Sequence, residues 1–207
     1  MIDKICDNLL EKIIKNDSSI DEEKAEIIYY GLQNIIGELP KGLAILLVAA
    51  LFGVFKLVLV GTAVMLVYRA FAGGVHLKTH LSCFLTSTIL VIGGTCLAKE
   101  VTYENTFLIY TALFVFNLLM AILYAPADTE NRPIMKESQM KRQKIESICM
   151  VVLIYSLSTF VIKERVITNL FMYMITVESF MITPLAYKVF KNKNGKERRE
   201  EILKNSM

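Results

Sequence analysis

The chain has 207 residues, 54% of them hydrophobic and 21% charged, with a formal net charge of +3. Mean hydropathy is positive (+0.47), and the charges gather at the N-terminus, at 130–146 and after 187. This pattern excludes an ordinary water-soluble core, whose apolar positions would alternate with polar ones at helix or strand spacing, and so small a net charge gives no sign of a nucleic-acid partner.

Residues 1–16 place Ile2, Ile5, Cys6, Leu9, Leu10 and Ile13 opposite Asp3, Lys4, Asp7, Glu11 and Lys12. That spacing predicts an amphipathic helix too charged to cross a bilayer. No apolar core precedes a small-residue cleavage site, so no secretory signal peptide is expected. Ser19 with Glu22 resembles a capping box that starts a second helix through Ile36, bearing Gln33. Pro40 is expected to end it. The expected organisation is one membrane domain over 1–207, with cytosolic or interfacial amphipathic helices over 1–40 and a basic cytosolic tail over 188–207.

Leu43–Tyr68 is apolar apart from Lys56 near its middle. It reads either as one tilted span with a snorkelling lysine or as a hairpin turning at Lys56. Four further segments are plain: Leu81–Ala98, Thr106–Ala125, Ser147–Ile162 and Ile167–Tyr187. Lysine and arginine concentrate in 69–80, 126–146 and the tail, whereas the opposite side receives only Lys99, Lys163 and Arg165. The positive-inside rule makes the first side cytoplasmic. The lysine-rich N-terminus then requires the hairpin, whose arms of roughly 20 Å are short for a ~30 Å hydrocarbon core. The expected architecture is all-α: a polytopic membrane protein of six segments, the first two a short hairpin, with both termini cytoplasmic.

The chain's two histidines, His76 and His80, share one stretch with Cys83, and its four cysteines suggest neither a disulfide framework nor a C-x-x-C pair. On a helix, His76 and Cys83 would lie two turns apart on one face. An imidazole beside a thiol can take its proton and leave the nucleophilic thiolate, with Arg69 and Lys78 adding positive potential. Gly73 and Gly74 allow close backbone approach, and their amides can face an oxyanion. A zinc site built on His76, His80 and Cys83 competes with this dyad, but the stretch holds no fourth ligand, so no metal or other cofactor is expected. Glu178 is an ionisable group inside an apolar segment, where it needs a partner. Arg69 is the natural one.

The stretch Arg69–Cys83, with Gly-Gly-x-His and a cysteine seven residues on, resembles the AgrB family of quorum-sensing membrane endopeptidases. So do Tyr124-Ala-Pro-Ala-Asp128-Thr129 followed by Asn131-Arg-Pro-Ile134, the Tyr30-Gly-Leu-Gln33 element and Glu178. The resemblance implies cleavage of an AgrD-type propeptide on its C-terminal side, with Cys83 as nucleophile and His76 as its base. The acyl-thioester would then pass to an internal cysteine or serine of the peptide, closing a thiolactone or lactone autoinducing peptide. It also implies supporting roles for Arg69 and Gly74, then for Gln33 and Glu178, and a homodimer in the cell membrane of a Gram-positive bacterium. Lys136, Lys141, Arg142 and Lys144 are candidates to hold the acidic end of the propeptide, although anionic lipid accounts for the same charges. A small peptide exporter is the competing reading, favoured by a broken helix and by Glu178.

Overall fold

A computed structural model describes residues 2–17, 20–75, 77, 79–129, 134, 136–195, 199, 200, 202 and 204. His76, Lys78 and residues 130–133 lie outside these, as do the side chains of Gln33 and His80. The described residues are helical, with isolated β-bridges and no strand. They form two compact units, Met1–Phe52 and Gly53–Met207.

The first unit holds α1 (Ile2–Asn16) and α2 (Glu22–Leu51), which pack together. The carboxylate of Asp21 caps α2 by accepting from the Lys24 amide at 2.8 Å, two residues after the expected Ser19, which lies outside the described residues. The expected break at Pro40 is corrected: α2 runs straight through it. A proline costs a helix one backbone hydrogen bond. Here Glu38 and Lys41 bracket the gap with an ion pair at 2.6 Å, and helix-forming neighbours lie on both sides. The helix stops instead at Phe52, followed by Gly53 at φ +68°. Lys56 falls in the first turn of the next helix.

The second unit contains α3 (Phe55–Ala72), then α4 (His80–Thr88), which continues through a π-helical turn (Ile89–Gly93) into α5 (Gly94–Glu100). After these come α6 (Thr106–Tyr124), α7 (Glu137–Ser156) with a second π-helical turn (Leu157–Val161), α8 (Arg165–Met181) and α9 (Pro184–Val189). Among the described residues, four helices are long and apolar enough to cross a membrane: Phe55–Ala72, Leu81–Glu100, Thr106–Tyr124 and Glu137–Val161. The last begins ten residues before its expected start at Ser147. Its polar first turns are supported along one helix by the pairs Glu137–Lys141 (2.8 Å) and Glu146–Arg142 (3.5 Å). The expected Ile167–Tyr187 segment is two helices, not one. Thr183 turns the chain and caps α9, with Pro184 in its first turn, a position where a missing N–H costs nothing.

α8 is the central helix of this unit and packs against α3, α5 and α6. Gly61 of α3 meets Leu170 and Met174, where an added Cβ would sit 3.1 Å from each. Gly94 is tighter still, since a Cβ there would fall 1.9 Å from the Tyr173 ring. α8 also carries the polar groups that satisfy its neighbours. The Tyr173 hydroxyl donates to the Leu90 carbonyl in the first π-helical turn (3.1 Å). Thr168 donates to the Ser158 carbonyl in the second (3.2 Å). Asn169 accepts from Tyr110 (2.6 Å) and donates to the Ala98 and Val101 carbonyls, each at 3.0 Å. Asn117 of α6 donates to Thr176 (3.1 Å). An apolar solvent offers these groups no other partner, so each pairing orients one helix against the next. The pairs Tyr110–Asn169 and Asn117–Thr176 make α6 and α8 parallel, as Gly61–Met174 and Arg69–Glu178 do for α3 and α8. The stretch after α3, the loop after α6 and the turn after α8 therefore lie at one end of the bundle. The candidate chemistry is at that end.

Candidate active site

Arg69 lies in the last turn of α3, and Glu178 lies one turn before the end of α8. Parallel helices put them side by side, with Arg69 Nη1 donating to Glu178 Oε2 at 2.8 Å. The carboxylate is 3% exposed as a residue, whereas the guanidinium side chain keeps 23%. Next to the pair, the Tyr68 and Ser179 hydroxyls share a hydrogen bond at 3.4 Å. The other guanidinium nitrogen, Nη2, donates to the Val75 carbonyl. Arg69 therefore ties α8 to the segment that leaves α3, and each of its two contacts fixes the other.

That segment takes its shape from two glycines. Gly73 has φ +72° and ψ −143°, and Gly74 has φ +129°, conformations that side chains resist. They turn the chain onto the loop after α6. Gly74 N–H donates to the Ala127 carbonyl (2.8 Å), Ala127 N–H donates to Ala72 (2.8 Å), and Val75 N–H donates to Met181 (3.1 Å). A Cβ at Gly73 would lie 2.2 Å from the Ala127 oxygen. The two sequence motifs, about 50 residues apart along the chain, are thus in direct main-chain contact.

Thr79 is extended (φ −119°, ψ 146°) and caps α4. It accepts from the Ser82 amide (3.1 Å) and donates to Ser82 Oγ (2.8 Å), and that hydroxyl donates back to the Thr79 carbonyl (3.0 Å). Cys83 follows in the first turn, its N–H on the Thr79 carbonyl at 3.0 Å. It is half-buried and in no disulfide. The expectation that one helix carries both His76 and Cys83 is corrected here. Gly73, Gly74, Val75, Leu77 and Thr79 are not helical, and α4 begins only at His80, behind the Thr79 cap. His76 itself lies outside the described residues. Its chain neighbour Val75 is buried and held by Arg69 and Met181.

Gln33 lies on α2 in the other unit. Lys136, Lys141, Arg142 and Lys144 open α7, two of them already paired along the helix with Glu137 and Glu146.

The AgrB family model, described as Accessory gene regulator B, matches residues 6–182. The chain belongs to the AgrB family. It is 29% identical over 153 residues to a putative AgrB-like protein 2 of Clostridium perfringens, covering 72% of this chain and 71% of that one. To FsrB of Enterococcus faecalis it is 24% identical, over 95% of this chain and 82% of that protein. To the accessory gene regulator protein B of Staphylococcus aureus it is 25% identical, over 84% and 90%. No solved structure matches the chain. Membership places it in accessory gene regulation, a quorum-sensing system.

Within this AgrB chain the sequence left two groups without a role. The Asp128 carboxylate accepts from the Ile134 amide (3.0 Å) and from Arg199 Nη1 (3.0 Å). The same Arg199 nitrogen reaches the Ile134 carbonyl (2.7 Å) and the Met140 sulfur (3.3 Å). Tyr187 donates to the Asp128 carbonyl at 2.6 Å. Asp128 stands out in the sequence as an acid inside a basic loop. Arg199 is one of many tail cations, and nothing local marks it.

Proposed function

We propose that the chain is a membrane-embedded cysteine endopeptidase that cleaves an AgrD-type propeptide and prepares its cyclisation. The observation that carries this reading is the meeting of the two motif segments. Gly73 and Gly74 are locked to Ala127, Val75 is held by the Arg69–Glu178 pair, and Cys83 stands in the first turn of the helix that follows. Three residues separate Val75 from Thr79 along the chain, so only a short spacer joins the anchored end of the glycine turn to the cap of the cysteine's own helix.

In the reaction, His76 takes the Cys83 thiol proton, and the sulfur attacks the scissile carbonyl carbon. The expected use of the Gly73 and Gly74 amides as oxyanion donors is corrected, because the Gly73, Gly74 and Val75 amides already donate to the Arg69, Ala127 and Met181 carbonyls; the glycine turn contributes shape to the site. The C–N bond breaks, His76 returns the proton to the leaving amine, and the peptide remains as a thioester on Cys83. An internal thiol or hydroxyl of the peptide then attacks that carbonyl. A thiolactone or lactone forms, and the Cys83 thiol is restored. Excluding water at the edge of a bilayer protects the thioester from hydrolysis. Lys136, Lys141, Arg142 and Lys144 hold the acidic end of the propeptide. Exposed intrahelical pairs of the Glu137–Lys141 kind contribute little, so a polyanionic segment displaces them readily. Gln33 is carried as a supporting residue on the family resemblance alone. The chain adds the apolar end of α2 and α8 to its four apolar helices, giving six membrane segments with both termini cytoplasmic. It works as a homodimer in the cell membrane of a Gram-positive bacterium.

Mass spectrometry of the protein mixed with the propeptide encoded beside it provides the test. The expected result is an acyl adduct on Cys83, lost with C83A, while H76A inserts normally and does not cleave. Normal cleavage by C83A refutes the proposal. Peptide movement into sealed vesicles without bond cleavage would replace it with an exporter, and activity that needs metal and fails in H80A would replace it with a zinc site.

A further inference from the structure

The tail beyond α9 is more than a cloud of positive charge. Its backbone returns to the loop after α6: Asn194 bridges to Thr129, and Gly195 N–H reaches the Asp128 carbonyl at 3.4 Å. Gly195 has no room for a side chain, since a Cβ would lie 2.7 Å from the Asp128 carboxyl carbon. Arg199 closes the arrangement on Asp128, with side chains only 15% and 6% exposed. Asp128 is the immediate neighbour of Ala127, whose N–H and carbonyl clamp Ala72 and Gly74. A continuous run of contacts therefore leads from Arg199 through Asp128 and Ala127 to the glycine turn before Cys83.

We propose that Arg199 and Asp128 are positioning residues for the cysteine chemistry: the C-terminal tail straps the loop after α6 so that Ala127 holds the Gly73–Gly74 turn in its working shape. This rests on the endopeptidase reading. It separates Arg199 from the other tail cations. A cation that held the acidic end of the propeptide would face solvent, whereas Arg199 already meets an acid, a carbonyl and a sulfur inside the protein. Removing the strap slows the reaction and leaves substrate affinity alone. A misplacement of about 1 Å at a site of this kind costs roughly 100-fold in rate.

The test uses the full-length protein in proteoliposomes with the propeptide encoded beside it, comparing R199A, R199K and D128N with wild type. R199A is expected to lose roughly 10- to 100-fold in kcat with KM unchanged. R199K, which restores the charge beside Asp128, should recover most of it. D128N keeps an acceptor for the Ile134 amide and serves where R199A inserts poorly; it should show a smaller kcat loss at constant KM. A raised KM with intact kcat would overturn the proposal and make Arg199 a substrate contact, and wild-type kinetics in R199A and D128N would overturn it outright. Hydrogen exchange without substrate gives an independent reading. The Gly74 and Val75 amides should exchange faster in R199A than in wild type, and unchanged protection sinks the strap whatever the activity. C83A in the same series tests the endopeptidase reading separately, because its cleavage is independent of the tail.

Discussion

Replacing Gly73 by alanine tests the backbone logic of the site most directly. The residue sits at φ +72°, ψ −143°, where a side chain costs about 1–3 kcal/mol. The new methyl would also lie 2.2 Å from the Ala127 oxygen, a distance no rotamer relieves because the backbone fixes where a Cβ stands and the oxygen is itself main chain. The loop must move away. The two hydrogen bonds between Ala127 and its partners Ala72 and Gly74 then go, at about 1 kcal/mol each. Together the working turn is disfavoured by about 3–5 kcal/mol, or about 10²- to 4 × 10³-fold in the population of competent enzyme at ~1.4 kcal/mol per decade. The assay is propeptide cleavage in membranes, with the amount of inserted protein measured in parallel. The helices do not depend on this turn, so insertion should hold while cleavage falls. Cleavage by G73A within twofold of wild type would show that Ala127 does not set the shape of the turn.

Glu178→Ala leaves the Arg69 guanidinium without its acid in a largely buried place, an imbalance that costs about 3 kcal/mol or more. Thermal unfolding in detergent should show the loss, and an unchanged midpoint would mean that the pair contributes nothing net. Gly94→Ala drives a methyl into the Tyr173 ring and should destabilise by about 1–3 kcal/mol. Pairing it with Tyr173→Ala should recover much of that, and strictly additive losses would count against the contact.

Much of the bundle was legible because apolar runs bounded by charge admit few alternatives. Thr106–Ala125 matches α6 to within a residue, and the break before Lys56 was foreseeable from one cation in an apolar stretch. Glu178 announced itself as a buried acid, and Arg69 was its plausible partner. The failures came where local signals compete with context. Pro40 is a helix breaker by propensity, yet an ion pair and a long apolar continuation carry α2 past it. Helical spacing of His76 and Cys83 was arithmetic on an assumed helix, whereas Leu77 and Thr79 are not helical and α4 begins only at His80. Asp128 and Arg199 are 71 positions apart, and no periodicity in the chain connects them.

The Arg69–Glu178 pair closes across 109 positions, and this separation orders events in time. A ribosome adding about 5–20 residues per second delivers α3 to the membrane roughly 5–20 seconds before α8 exists. Until then the arginine has no acid to meet, and the segment leading to Cys83 has lost its anchor. On the endopeptidase reading proposed above, a nascent or prematurely terminated chain is therefore an unarmed protein, and Cys83 gains its finished surroundings only when the last helices have arrived.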